Sequence, residues 1–312
     1  MQHSNLADVR SGTAAASSLA PPGNDDTSVV GAKGRTSWGR LRRQRLAMVA
    51  LLVIALFVAA AVFAPVLAPH DPNLAYANGL TMDGHPLGSS AMFPLGTDVV
   101  GRDVLSRLLY GARISLTVGV LATLLQITLG LVLGAISGFY GGWAETIITR
   151  LVDMLLAFPV VLLGLTAAAV FTPSILTTIA VIGATQWMFM ARVVYSMVVS
   201  LKEWQFVEAA RAVGVANWRI VWRHILPHLG PVTITYATLG VGTSILLEAT
   251  LSYLNAGVPP PTASWGTMIN TGLAYYREDP ALVLYPGICL TAVVLAFMIV
   301  GDGLNKALQA RS

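Results

Sequence analysis

The sequence predicts an all-α integral membrane protein with six transmembrane helices, on two observations. Only 11% of the 312 residues are charged and 55% are hydrophobic, whereas about 25% of the residues of a soluble protein are charged. The apolar residues also lie in long uncharged blocks, and a helix needs about 20 such residues to cross the hydrocarbon core of a bilayer. This composition excludes a soluble globular protein.

The uncharged blocks give the positions of the spans. The stretch between Asp153 and Arg192 is too long for one crossing at about 1.5 Å per residue, so it divides in two at Thr172-Pro173-Ser174. The other four spans are predicted over Leu46 to Pro69, between Arg113 and Glu145, over Leu229 to Leu254, and between Asp279 and Asp302.

The arginines predict the orientation of the chain in the membrane. A cluster of arginines precedes the first span, and positive residues beside spans mark the cytoplasm, so both termini are predicted to be cytoplasmic. The predicted organisation is a disordered tail (1–36), a basic flank with the first span (37–69), an extracytoplasmic loop (70–110), a five-helix core (111–308) with a cytoplasmic loop (200–227), and a cytoplasmic tail (309–312). Because the basic residues flank spans, the net charge of +4 does not indicate a nucleic-acid partner.

The loop 200–227 contains a pattern of a short amphipathic helix. Val207, Ala210 and Val213 can share one helical face, and Gly214 is suited to end the helix in the left-handed conformation. A second helical turn is expected up to Pro227. On periodicity alone, an ordinary connector at the membrane surface is the favoured description.

Several motifs resemble the permeases of ATP-binding-cassette importers. Glu208-Ala209-Ala210, Gly214 and His224-Ile225-Leu226-Pro227 resemble the EAA loop of that family. Further stretches resemble the peptide and nickel branch, and within it the second permease, which has a long outer loop after the first span. These stretches are Leu95-Gly96-Thr97-Asp98 with Gly101-Arg102-Asp103, Ala157-Phe158-Pro159, and Leu247-Glu248-Ala249 with Ser264-Trp265-Gly266.

The resemblance implies a type I importer permease fold whose cytoplasmic coupling helix binds a groove on an ATPase subunit. Ala209 and Ala210 would allow close approach, Glu208 would make a polar contact, Gly214 would form the turn, and Arg211 belongs to the same helix. The implied partners are a second homologous permease, two ATPase subunits and an extracytoplasmic solute-binding protein, in a bacterial cytoplasmic membrane.

The implied function is import of dipeptides or oligopeptides, with nickel or another peptide-like solute as the alternative. A Walker loop needs Gly-Lys followed by Ser or Thr, and the three lysines are followed by Gly34, Glu203 and Ala307. We therefore expect no enzyme activity, catalytic residue or cofactor in this chain, and ATP and Mg²⁺ to be used by the partner ATPases. His224 and His228 have no third ligand nearby in the sequence, so packing is favoured over a metal site.

Two polar residues near the fifth span have two interpretations each. Glu248 either locks helices together through hydrogen bonds, which we favour, or lines the pathway. As a cation site it would fit a different class, an ion-coupled secondary transporter. Asn255 either caps the helix end, which we favour, or reflects a polar substrate. Asp153 is expected to pair with Arg150 on one helical face, and Gly130, Gly134 and Gly138 to allow close helix packing.

Overall fold

The computed structural model describes residues 39, 41–42 and 44–309, and its regular elements over this part of the chain are helices. The predicted disordered tail (1–36) and residues 310–312 lie outside the described residues. The helices are α1 (Arg45–Val62), α2 (Ala64–Leu67), α3 (Val104–Tyr140), α4 (Gly142–Leu156), α5 (Val160–Val170), α6 (Ile175–Leu201), α7 (Gln205–Ala212), α8 (Asn217–Ile220), α9 (Leu226–Tyr253), α10 (Trp265–Leu273) and α11 (Ala281–Gln309). A π-helical turn, Val221–Ile225, joins α8 to α9.

The predicted all-α membrane fold is confirmed, and one of the six predicted spans differs in form. In the part of the chain that the structure describes, five helices are long and apolar enough to cross a bilayer: α1, α3, α6, the continuous helix Asn217–Tyr253, and α11. Helices α4 and α5 are bent by 96° at the break between them and give a sixth crossing if they count as one broken span. Pro159 lacks an N–H and disfavours helical geometry at Phe158, so the helix breaks there, a feature that the sequence analysis did not predict.

Two helix boundaries also differ from the prediction. Helix α3 begins at Val104, within the range 70–110, because the Asp103 side chain accepts a hydrogen bond from the Ser106 N–H and caps the helix. The fifth span begins at Asn217, within the range 200–227. Pro227 does not interrupt it, because the π-helical turn Val221–Ile225 directly before this proline changes the hydrogen-bond pairing of the helix there.

Helices α3 and α6 pack closely along a row of glycines, as their spacing predicts. A Cβ at Gly134 would lie 2.6 Å from the Ala191 carbonyl oxygen and 2.7 Å from the Val194 Cβ. Gly130 and Gly138 meet neighbouring turns of α6 in the same way. Since these distances are shorter than van der Waals contact, any larger residue would force the two helices apart.

The segment between α2 and α3 folds around an ion-paired cluster. Asp98 accepts from Arg102 at 2.7 Å, and its second partner, Arg107, lies at 3.3 Å. Arg107 is buried, and its Nη1 donates to the Pro72 carbonyl oxygen at 2.9 Å and to that of Pro261 at 3.3 Å. These contacts join the loop after α2 to the loop after α9. We call this end of the molecule the loop face.

Candidate functional site

Helix α7 lies at the end of the molecule opposite the loop face and is anchored by one buried residue. Val207 is completely buried in a cluster that includes Phe139, Val198 and Ile225. Ala210 packs at the edge of the same cluster. The anchored face therefore fixes the position of α7 against α3, α6 and α9.

The third residue predicted on this face, Val213, is 83% exposed. The helix ends at Ala212, one residue earlier than the apolar spacing requires. Val213 therefore leaves the helical repeat and points away from the cluster, and that part of the prediction is wrong.

Gly214 ends α7 in the left-handed conformation, with φ at 79°. Its N–H donates to the Arg211 carbonyl oxygen at 2.9 Å, and the Val215 N–H donates to that of Ala210 at 3.0 Å. These two bonds form a Schellman motif. A Cβ at Gly214 would meet nothing within 4 Å, so backbone conformation, and not space, is what favours glycine here.

The opposite side of α7 and the segment after it form an exposed surface of mixed character. Glu208 and Ala209 are exposed on α7, and Trp218 is 59% exposed. We define the α7 surface by its exposed residues Glu208, Ala209, Arg211, Val213 and Trp218. Of these residues, Trp218 and Arg211 are of the types that are enriched in protein-binding surfaces.

Two basic residues, one in α7 and one in the segment before it, contact the end of α3. The Arg211 guanidinium lies 5.3 Å from the centre of the Phe139 ring, a cation–π contact. Lys202 Nζ donates to the Gly138 carbonyl oxygen at 3.2 Å. Sequence patterns did not indicate either contact, because both join residues more than 60 positions apart and no local spacing signals them.

The two histidines after α7 pack against aromatic rings. His228 stacks on Phe206 with the ring centroids 5.1 Å apart and the planes 10° from parallel. Its Nδ1 lies 2.6 Å from the His224 carbonyl oxygen. The expected packing role is what this geometry supports. Within residues 44–309, no group of three or more His, Cys, Asp and Glu side chains could hold a metal ion.

Glu248 lies in a closed polar cluster towards the loop face. It is completely buried, and its two carboxyl oxygens accept hydrogen bonds from Ser115 of α3 at 2.8 Å and from Ser252 at 2.7 Å. The Ser252 hydroxyl in turn accepts the Val258 N–H at 3.1 Å. The cluster therefore connects α9, α3 and the loop after α9, the arrangement expected of a helix-locking carboxyl, although that role stays a prediction.

Asn255 ends α9 with a φ of 59°. Its N–H donates to the Ser252 carbonyl oxygen at 3.1 Å, and the Ala256 N–H donates to that of Leu251 at 2.8 Å. This is again a Schellman motif. The geometry is that of the helix cap that the sequence favours, and Asn is the residue besides Gly that most often adopts this conformation.

Asp153 does not pair with Arg150 as expected but with Arg192 of α6. Nearby, the Tyr195 hydroxyl donates to Glu145 of α4. Both contacts join α4 to α6 beside a groove of about 310 Å³. The bend after α4 sets the direction of this helix, so the partner of Asp153 could not be found from spacing along α4 alone.

Comparison with known proteins gives a consistent result over nearly the whole chain. The sequence profile of the binding-protein-dependent transport system inner membrane component matches residues 130–312. The profile of the N-terminal TM domain of oligopeptide transport permease C matches residues 34–84.

Curated relatives cover most of the chain. The dipeptide transport system permease protein DppC of Alkalihalophilus pseudofirmus is 39% identical over 93% of this chain and 94% of its own length. The glutathione transport system permease protein GsiD of Pectobacterium atrosepticum is 35% identical over 89% of this chain and 91% of its own. GsiD of Escherichia coli is 37% identical over 88% of this chain and 89% of its own length.

Proposed function

Because this chain belongs to the family of binding-protein-dependent transport system inner membrane components, we propose that it is the permease of an ATP-driven importer of di- or oligopeptides. Glutathione is itself a small peptide, so the names of the relatives from Alkalihalophilus and Pectobacterium both indicate peptide solutes. They favour a peptide over a nickel complex. We further propose that this chain forms half of the pathway, beside a second homologous permease.

The observation that carries the proposal is the arrangement of α7. Val207 and the Gly214 turn hold the helix in one position, while Glu208 and Ala209 remain exposed. A helix fixed on one side and free on the other can transmit a displacement from a bound protein to the spans behind it. We propose that an ATPase subunit binds the α7 surface and that closure of two ATPases on ATP switches the pathway between two states.

The orientation follows from the arginines before α1. With that flank in the cytoplasm of a bacterial inner membrane, the α7 surface and both termini face the ATPases, and the loop face meets an extracytoplasmic solute-binding protein. The ion-coupled alternative is less favoured because both carboxyl oxygens of Glu248 already accept hydrogen bonds from serines of this chain.

The test compares one substitution at two exposed alanines. Ala209→Trp places a bulky side chain on the α7 surface and should reduce uptake of a labelled dipeptide by cells at least tenfold. Ala55→Trp, on the exposed side of α1, should leave uptake unchanged. Both variants should reach the membrane in equal amounts, as measured by immunoblot.

Two outcomes contradict the proposal. The first is normal uptake by Ala209→Trp. The second is uptake by proteoliposomes that contain the permeases without any ATPase and are driven by a proton gradient, which would support the ion-coupled class.

A further inference from the structure

We propose that the groove between α1 and α3 near the loop face binds a phospholipid, with Arg113 binding the phosphate of the headgroup. The groove has a volume of about 400 Å³. Its walls are Val58, Ala61 and Val62 of α1 and Arg113, Leu116, Thr117, Val120 and Leu121 of α3.

Arg113 supplies the charge that the ligand must match. It is exposed and is the sole charged residue among the described residues that line this groove. Among the residues that the structure describes, its guanidinium has no ion-pair or hydrogen-bond partner, in contrast to Arg107 two turns earlier, which is bound to Asp98. A guanidinium presents paired N–H donors that fit the two free oxygens of a phosphodiester.

The depth of Arg113 corresponds to the level of the headgroups. Helix α1 begins at Arg45 and extends for about 26 Å to Val62 at 1.5 Å per residue, close to the thickness of about 30 Å of the hydrocarbon core. Val62 lines the same groove as Arg113. With Arg45 at one boundary of the core, Arg113 therefore lies at the other, where an unpaired cation can reach a phosphate without entering the apolar interior.

The order of side chains along α3 matches that of a phospholipid. Arg113 and the hydroxyl of Thr117, one turn further, form the polar end. The exposed residues that follow towards the middle of the span are apolar: Val120, Leu121 and Leu124. Val58 of α1 is also exposed and faces this stretch. An acyl chain can therefore lie between the two helices below the bound phosphate.

This inference requires that the chain lies in a membrane and does not depend on its direction of transport or on ATPase binding. The competing occupant is a carboxylate of a second permease subunit, which would also neutralise Arg113. The observations favour the lipid because α1, the other wall, exposes apolar side chains along its whole length, as a helix surrounded by acyl chains does.

The test uses the full chain in nanodiscs that contain phosphatidylglycerol with a photoactivatable diazirine in its acyl chain. After irradiation, mass spectrometry should find the lipid attached to peptides that cover Val58–Val62 and 116–121. Arg113→Gln should reduce this labelling about tenfold, since a charge-assisted bond is lost, whereas Arg113→Lys should retain most of it. Arg150→Gln, which removes an exposed arginine of α4, should not change it.

Equal labelling of the wild type and Arg113→Gln would overturn the proposal, as would loss of labelling when a co-purified second permease is present. A size-exclusion profile equal to that of the wild type shows that Arg113→Gln is folded. If that variant does not fold, Thr117→Val serves in its place and should reduce labelling several-fold. A cross-linker at position 113 that captures a protein instead of lipid would assign the groove to the subunit interface.

Discussion

Gly214 and Asn255 end two helices with the same backbone hydrogen bonds, at opposite ends of the continuous helix Asn217–Tyr253. Both residues are left-handed, with φ of 79° and 59°. In both turns, the next N–H donates to the carbonyl oxygen five residues earlier, at 3.0 Å and 2.8 Å. The two helix ends therefore satisfy their last backbone carbonyl groups with the same pair of hydrogen bonds.

Both turns expose apolar neighbours, Tyr253 and Leu254 before Asn255 and Val213 before Gly214, and they differ in the polar groups that are buried beneath the first turn. Beside Asn255, the polar groups of Glu248 and Ser252 are buried and bonded to one another. Beside Gly214, Val213 and Trp218 are exposed. The comparison teaches that one turn closes a polar cluster that this chain satisfies by itself, while the other presents a surface that a second protein can cover. Substitutions at the first should change stability, and those at the second should change transport.

The largest effect on stability is expected at the polar cluster. Glu248→Ala leaves the hydroxyls of Ser115 and Ser252 without their acceptor and opens a cavity, which should lower the free energy of unfolding by about 3 kcal/mol. Glu248→Gln should lose about 1 kcal/mol, because an amide of equal size can still accept one of the two bonds. Thermal unfolding of the purified chain in detergent measures both.

A change in transport without a change in stability would revise the role of Glu248. If Glu248→Gln keeps the stability of the wild type but changes the affinity for charged peptides in uptake assays, the carboxyl acts on the substrate and the helix-locking role is wrong.

A smaller effect is expected from Gly214→Val. A β-branched residue in the left-handed conformation should cost about 1–2 kcal/mol at that turn and release the end of α7. Because the turn is at the surface, the spans should still insert, but dipeptide uptake should be abolished. Unimpaired uptake, with ATPase activity still stimulated by substrate, would refute a coupling role for α7.

Exchanging the two turn residues should have little effect. Gly214→Asn and Asn255→Gly should each change the free energy of unfolding by less than about 0.5 kcal/mol, because both residues adopt left-handed backbone angles readily. Thermal unfolding of the purified chain in detergent measures both changes. A loss of more than 1 kcal/mol in Asn255→Gly would mean that the Asn255 side chain, and not its backbone, has the essential role.

The smallest effect on stability is expected from Val213→Ser, since an exposed residue without packing partners contributes within about 0.5 kcal/mol. Uptake should nevertheless fall several-fold, because the apolar contact with the partner is lost. If both stability and uptake are unchanged, Val213 lies outside the contact area and the α7 surface is smaller than defined here.

The sequence predicts the membrane fold and the position of α7 well. Long uncharged blocks specify spans directly, and the left-handed turn at Gly214 follows from the one residue that adopts it without strain. The glycine row from Gly130 to Gly138 likewise follows from spacing alone. In each of these cases the signal lies within a single helix or turn.

Features that depend on the direction of a helix or on distant contacts were not predicted. The absence of charge between Asp153 and Arg192 does not reveal the 96° bend at Pro159, and so Asp153 was assigned the wrong partner. The loop cluster of Asp98 and Arg107 likewise depends on a carbonyl of Pro261, which lies 154 residues from Arg107. The sequence indicated one contact of this cluster, the ion pair of Asp98 and Arg102, through their i, i+4 spacing.

The helix Asn217–Tyr253 has 37 residues and therefore a length of about 55 Å, nearly twice the thickness of the hydrocarbon core. One continuous helix thus connects the segment after the Gly214 turn to the serines around Glu248, and it can move as a rigid rod. A tilt of about 5° about one end would move the other by about 5 Å, the pitch of one helical turn. The ratio of movement at the two ends depends on the position of the pivot, and Gly240 of α9, where a Cβ would lie 2.9 Å from Thr123 of α3, is the place to look for it.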